Sequence, residues 1–310
     1  MSTAFIFPGQ GAQVTGMGKD FYENVSVSRE IFDKATQLLG LDMPALCFEE
    51  NDKLDITEYT QAALLTTSVA MLKALEEKGI VPDVCAGLSL GEYCALVASH
   101  VMSFEDAVKT VRQRGILMQE AVPVGVGGMS AIIGLDGDTI EKICEGIEGV
   151  QVANFNCPGQ IVITGKLESV EKANEQLKEA GARRCIMLNV SGPFHSDMLV
   201  EAGEKLGKVL EKVELQDFTI PYVTNVTAEY VRDTSSIKEL LQKQISSSVR
   251  WQQSVEKMIA DGVDTFVEIG PGKTLAGFMK KINKTVTVYN IEKLEDMDKV
   301  CEALMEVKNV

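Results

Sequence analysis

Gly87-Leu88-Ser89-Leu90-Gly91 sets a serine between two glycines, each two residues away. The apolar run from Val84 to Leu88 precedes it, and Gly91 to Ser99 is helix-compatible, so the expected context is strand, sharp turn, helix. Such a turn holds Ser89 in a strained backbone conformation, and the flanking glycines let neighbouring backbone pass without a Cβ clash. The hydroxyl then stands at a helix N-terminus, where free N–H groups favour developing negative charge. The same residues also fit a plain strand-to-helix turn whose serine caps the helix.

A serine hydroxyl needs a base to act as a nucleophile, and the 310 residues include two histidines, His100 and His195. If Gly91 to Ser99 is helical, His100 lies roughly 16 Å further along the axis than Ser89 and cannot reach it. His195 follows Gly192-Pro193-Phe194, a turn from which a side chain can project into a cleft. A hydrogen-bonded core or capping histidine is the competing reading of His195.

Arg114 bears on the substrate. A helix is expected from Ser103, with Asp106 completing a capping-box-like start, to about Glu120. Ala107, Val108, Val111 and Met118 define its apolar face, Arg114 falls on the edge of that face, and Arg112 points away. A half-buried guanidinium needs an anion, either a protein carboxylate or a substrate carboxylate, which a bidentate fork fits well.

The elements that must position these groups read as an α/β chain. Strands are expected at Ala4–Phe7, Val84–Leu88, Ile220–Thr224 and Thr265–Ile269. Helices are expected at Thr60–Lys78, from Ser196 to Val213, from about Ile237 and at Ser254–Asp261. Between about Gly127 and Asn189 the rhythm changes: strand Ser130–Leu135, helix Asp138–Ile147, strands Val150–Asn156 and Gln160–Thr164, helix Leu167–Ala180, strand Arg183–Asn189. That βαββαβ order is a split βαβ unit able to close its own four-stranded sheet. The expected division is a large subdomain of residues 1–126 and 190–310 with a small subdomain, 127–189, inserted into it.

Composition narrows the function classes. The chain is 45% apolar and 24% charged, enough to bury a sizeable core and unlike a disordered chain. With 45 acidic against 30 basic residues, its net charge of −15 argues against nucleic acid as the main partner. Seven scattered cysteines without a CxxC pair suggest neither a disulfide framework nor a zinc site, and fit a reducing cytoplasm. No apolar run approaches the roughly 18 residues that span a bilayer, so no membrane partner is expected. Gly9-Gln10-Gly11 is followed by Val14 where a dinucleotide fingerprint needs glycine, and Gly272-Lys273-Thr274 lacks the glycine that opens a phosphate-binding loop. No cofactor and no metal are expected. Lys273, Lys280, Lys281 and Lys284 form a local basic stretch in an acidic chain, either a solvated helix face or a docking patch.

Six blocks in order, FPGQGAQ (Phe7–Gln13), GLSLGEY (Gly87–Tyr93), QRGILMQEA (Gln113–Ala121), NCPGQIVITG (Asn156–Gly165), GPFHS (Gly192–Ser196) and EIGPGKTL (Glu268–Leu275), resemble the malonyl-CoA:acyl carrier protein transacylases across nearly the whole chain. The resemblance implies an α/β-hydrolase-like large subdomain with a ferredoxin-like small subdomain, and an active site in the cleft between them. It implies Ser89 as nucleophile, His195 as base, Gln244 as the residue whose carbonyl orients the histidine, and the backbone N–H groups of Gln10 and Leu90 as the oxyanion hole. Arg114 would clamp the malonyl carboxylate, with Met118 and Phe194 beside it. The implied partners are malonyl-CoA and acyl carrier protein, in fatty acid biosynthesis. Two departures stand out: Leu88 replaces a histidine common before the nucleophile, and Ser247-Ser248 stand where an Asn-Pro pair is common before Trp251.

Competing readings remain at this stage. A serine esterase or thioesterase would use the same turn with a charged triad acid and no buried arginine facing the serine. A carrier-docking module with a dead site would bind without an acyl-serine, and an acyltransferase serving polyketide synthesis would use the same chemistry.

Overall fold

Thr3–Phe7 forms strand β1, buried throughout, and its alternating side chains serve two cores: Phe5 and Phe7 on one side, Ala4 and Ile6 on the other. A strand buried on both faces belongs inside a parallel sheet covered by helices on either side. The computed structural model describes residues 2–231 and 233–308, with side chains to Met305.

After β1 come α1 (Lys19–Asn24), α2 (Ser26–Leu39), α3 (Met43–Phe48), α4 (Thr57–Glu77), β2 (Val84–Gly87), α5 (Gly91–Ala98) and α6 (Phe104–Glu120). The next stretch is β3 (Gly127–Ile133), α7 (Gly137–Glu145), β4 (Val150–Cys157), β5 (Gln160–Lys166), α8 (Leu167–Glu179) and β6 (Arg184–Met187). The chain continues through α9 (Val200–Leu210), β7 (Tyr222–Val223), α10 (Ile237–Gln244), α11 (Trp251–Ala260) and β8 (Thr265–Ile269). It ends with α12 (Thr274–Ile282), β9 (Thr287–Ile291) and α13 (Leu294–Lys308).

Five strands, in the order β7-β2-β1-β8-β9, pair in parallel. The chain leaves β1 for β2 on one side and returns to β8 on the other, so the carboxyl ends of β1 and β8 flank the topological switch point, where open α/β sheets bind ligands. Gln10 follows the carboxyl end of β1, and Ser89 follows that of the neighbouring β2. The second sheet, β4-β5-β3-β6, is antiparallel. Ile132, Val152, Ile161 and Ile163 pack with Ile140 of α7 and Val170 and Leu177 of α8. Met129, Ala131, Asn154 and Val162 of the same sheet line the large cleft. Backbone bonds from Phe155 N to Val249 O (2.9 Å) and from Val249 N to Ala153 O (2.8 Å) tie β4 to the segment after α10.

The residues expected to form one helix from Ser196 instead give an extended Ser196, a 3-10 turn over Asp197–Leu199, and then α9. The cause is local: His195 takes φ +60° and the Ser196 hydroxyl donates to Pro193 O at 2.7 Å, so the helix cannot begin there. Helix α11 begins three residues before the expected Ser254, because fully buried Trp251 anchors its first turn. The strand expected at Ile220–Thr224 contracts to the two residues of β7.

Candidate active site

Ser89 sits at φ +52°, in the left-handed region a serine enters only when its surroundings enforce it. A Cβ at Gly87 would fall on the Gly91 carbonyl, and one at Gly91 on the Phe7 carbonyl, so both glycines are required by close backbone approach. Asn225 braces the turn from beyond β7: its Oδ1 accepts from Ser89 N at 2.6 Å and its Nδ2 donates to Gly87 O at 2.7 Å.

His195 Nε2 lies 2.8 Å from Ser89 Oγ, and Nδ1 lies 2.7 Å from the backbone carbonyl of Gln244. A carbonyl only accepts, so Nδ1 carries the proton and Nε2 presents its lone pair to the serine hydroxyl. Backbone contacts hold the ring in place: His195 N donates to Ile245 O at 3.1 Å, and Gln151 Nε2 donates to His195 O at 3.2 Å. Burial, reinforced by the Arg114 charge, pulls the imidazole pKa down to about 4, so the ring is neutral at pH 7. His100 is exposed, at the far end of α5.

Arg114 is not half-buried as its place on the edge of the helix face suggests, but 1% exposed. Gly115 is the reason: a Cβ there would come within 2.7 Å of Glu58 Cα, so α6 lies directly against α4 and carries Arg114 into the interior. Its Nη1 donates to Gln61 Oε1 at 2.8 Å, and its Nη2 to Gln244 Oε1 at 3.0 Å and Ser89 Oγ at 3.1 Å. Among the described residues no carboxylate pairs with it, and its Nε has no acceptor. Arg112 instead points outward to Glu58 (2.5 Å) and lies over the Tyr59 ring.

These groups line one cleft of about 860 Å³, together with Gln10, Leu90, Met118 and Phe194. Met118 and Phe194 are 3% and 7% exposed. The backbone N–H groups of Gln10 and Leu90 find no acceptor among the described residues. Thr57 secures the Gln10 loop, accepting from Gln10 Nε2 at 3.1 Å and meeting Ser191 Oγ at 3.0 Å. No group of three His, Cys, Asp or Glu side chains gathers as metal ligands among the described residues. Ser248, at the departure from Asn-Pro, donates its hydroxyl to Val152 O at 2.6 Å, holding the segment against β4.

Three participants escaped sequence reasoning: Gln61, Glu92 and Asn225. Each is fully buried and polar beside apolar neighbours. A polar residue inside an apolar helix run, or just past the end of a buried parallel strand, is the signal that would have marked them. Glu92 Oε2 accepts from Gln244 Nε2 at 2.7 Å and Asn225 N at 3.1 Å, and burial raises its pKa to about 6.

The arrangement can deprotonate a serine, receive an oxyanion on two backbone N–H groups and engage an anionic group beside the reacting oxygen. Comparison with known proteins agrees with that chemistry. A malonyl CoA-acyl carrier protein transacylase of Bacillus subtilis is 49% identical over 300 residues, covering 94% of this chain and 95% of the relative. One of Staphylococcus aureus is 46% identical, covering 95% and 97%. The crystal structure of the Clostridium perfringens malonyl CoA-acyl carrier protein transacylase superposes with a TM-score of 0.96 at 46% identity, covering 99% of this chain and 98% of that one. A malonyl-transacylase solved in complex with a type II PKS acyl-carrier protein matches with a TM-score of 0.95 at 39% identity, covering 98% of this chain and all of that one. Residues 4–299 match the family described as acyl transferase domain, and by that match and these identities the chain belongs to it.

Proposed function

We propose that the protein transfers the malonyl group from malonyl-CoA to the phosphopantetheine thiol of acyl carrier protein through a malonyl-Ser89 intermediate, in fatty acid biosynthesis. The observation that carries this reading is a fully buried guanidinium with neutral partners, 3.1 Å from the serine oxygen. A three-carbon diacid esterified to Ser89 puts its free carboxylate within reach of that fork, and a carboxylate supplies the direct anionic partner this buried arginine lacks.

Ser89 Oγ gives its proton to His195 Nε2 and attacks the thioester carbonyl. The oxyanion rests on Gln10 N–H and Leu90 N–H, each worth about 3 kcal/mol in such sites. The C–S bond breaks and the coenzyme A sulfur leaves with the proton from Nε2. The carrier thiol then yields its proton to Nε2, attacks the ester, and Ser89 Oγ departs reprotonated. Gln244 O keeps the imidazole in the tautomer both halves need, while Met118 and Phe194 wall the acyl pocket.

We further infer that residues 127–189 are a ferredoxin-like small subdomain inserted into an α/β-hydrolase-like large one, 1–126 and 190–310; the antiparallel order β4-β5-β3-β6 with α7 and α8 on one face supports this. The carrier is acidic and this chain has charge −15, so docking falls to local positive charge. Lys273, Lys280, Lys281 and Lys284 are all exposed, on and beside α12, whose Thr274, Leu275 and Phe278 line the cleft. Seven free thiols and a coenzyme A substrate are in keeping with the cytoplasm. In the described residues no helix is long and apolar enough to cross a membrane.

Mass spectrometry after exposure to malonyl-CoA tests the reading. A malonyl adduct on Ser89, absent in Ser89→Ala and discharged by holo carrier protein, is the expected result. Free malonate released at full rate without the carrier would identify an esterase, and binding without an adduct a docking module.

A further inference from the structure

His195 must become an imidazolium in each half-reaction, yet among the described residues no carboxylate touches it. It stands across one serine oxygen from Arg114, so the new positive charge forms beside an existing one. Burial makes that arrangement costly without a nearby anion.

Gln244 links the groups concerned. Its backbone oxygen accepts from His195 Nδ1, its Oε1 accepts from Arg114 Nη2 at 3.0 Å, and its Nε2 donates to Ser89 O at 2.9 Å and Glu92 Oε2 at 2.7 Å. An ionised carboxylate only accepts and a guanidinium only donates, so Glu92 and Arg114 together allow one orientation of the Gln244 carboxamide. Resting on the acyl-transfer reading above, we propose that Glu92 is the positioning residue and counter-charge of this site: acting through Gln244, it fixes the carbonyl that orients His195, and its carboxylate offsets the charge His195 acquires.

The position of Glu92 explains why the anion is remote. A carboxylate in direct contact with Arg114 would occupy the fork that the malonyl carboxylate needs. Held behind an amide, Glu92 compensates the guanidinium and leaves the fork open. The groups facing it are Arg114 from α6, Tyr93 from its own helix, Tyr222 and Thr224 from β7 and its end, and Asn225 and Gln244. Arg114 and the hydrogen bonds from Asn225 and Gln244 favour its ionised form, but burial outweighs them and keeps its pKa at about 6. With His195 at about 4, the group beside the serine that changes charge just below neutrality is Glu92.

The test is the rate of Ser89 malonylation between pH 4.5 and 8, read with malonyl-CoA and acetyl-CoA. For the unaltered enzyme the acid limb should lie near pH 6. Glu92→Gln, which retains an acceptor but not the charge, should lower acylation by about tenfold at pH 7.5 and remove that limb. It should also raise the malonyl-to-acetyl ratio, since Arg114 then depends on the substrate for its anion. A purely structural role would leave the limb in place and lower both rates together. Glu92→Asp, which keeps the carboxylate, should retain a limb and restore most of the rate. An unaltered enzyme whose rate shows no limb near pH 6 overturns the proposal even if Glu92→Gln fails to fold; a Glu92→Gln limb still near 6, or an unchanged ratio, also overturns it. Absence of any adduct in the unaltered enzyme would reject the acyl-transfer reading instead.

Discussion

His195 Nδ1–H donates a hydrogen bond to the backbone carbonyl of Gln244, 2.7 Å away, where a charged triad would place a carboxylate. A peptide carbonyl fixes the tautomer without adding a full negative charge, so the imidazole is a weak base in its resting state. Gln244 ends α10, and the chain after it is stitched to β4 through Val249, so the carbonyl is held by backbone on both sides.

Arg114→Ala should lower the preference for malonyl-CoA over acetyl-CoA by roughly 10²- to 10³-fold, the loss expected when a charged partner goes unmet. Acetyl transfer to Ser89 should persist. The measurement is the ratio of kcat/KM values for the two thioesters; an unchanged ratio removes Arg114 from substrate selection.

Gly115→Ala should push α6 away from Glu58 and Thr57 of α4. Overpacking of this kind costs about 1–3 kcal/mol, so urea unfolding should shift to lower denaturant. Because Arg114 is the preceding residue, malonyl preference should fall as well, whereas an overpacking site remote from the cleft would affect stability alone.

Glu268 is fully buried at the end of β8; its Oε1 accepts from Leu275 N at 3.0 Å and its Oε2 from Ala276 N at 2.8 Å, capping α12. Burial outweighs those bonds and raises its pKa from 4.5 to about 7. A carboxyl raised on folding contributes its stability below the unfolded pKa and loses it as pH rises through the folded one. Relative to Glu268→Gln, the unaltered protein should therefore gain stability as pH falls from 8 to about 4.5, by an amount on the order of 3 kcal/mol. Urea titrations of both proteins across that window check the sign, and a difference independent of pH would contradict it.

Transfer to the carrier should slow steeply with added salt, and alanine at Lys280 and Lys281 should flatten that dependence while leaving malonylation by malonyl-CoA unaltered. Stopped-flow rates at several ionic strengths decide it; salt-independent transfer would remove α12 as the docking face.

Local signals in the sequence mark out Ser89 and the βαββαβ order because both rest on short-range pattern: glycine spacing in one case, alternating strands and amphipathic helices in the other. The capping of α6 by Ser103, whose Oγ accepts from Asp106 N at 3.0 Å, is of the same kind. Asn225 and Gln61 are different. They meet Ser89 and Arg114 across 136 and 53 residues, and nothing in their own neighbourhood records those distances. The depth of Arg114 was equally hidden, because it depends on how closely α6 approaches α4, set by one missing side chain at Gly115. Helices α1 to α3 and strand β9 lay outside the sequence expectations altogether; α2 buries only Ser28, Phe32 and Ala35 of its 14 residues, and β9 buries only Ile291.

Ser89 and His195 are two of the four non-glycine residues with positive φ among those described. Replacing either by glycine relaxes a torsion that the surrounding fold holds against the side chain's preference, and in doing so deletes the proposed nucleophile or the proposed base. Reactivity and conformational comfort thus compete at the same two backbone angles, and selection for heat resistance alone would drift toward inert variants at these positions.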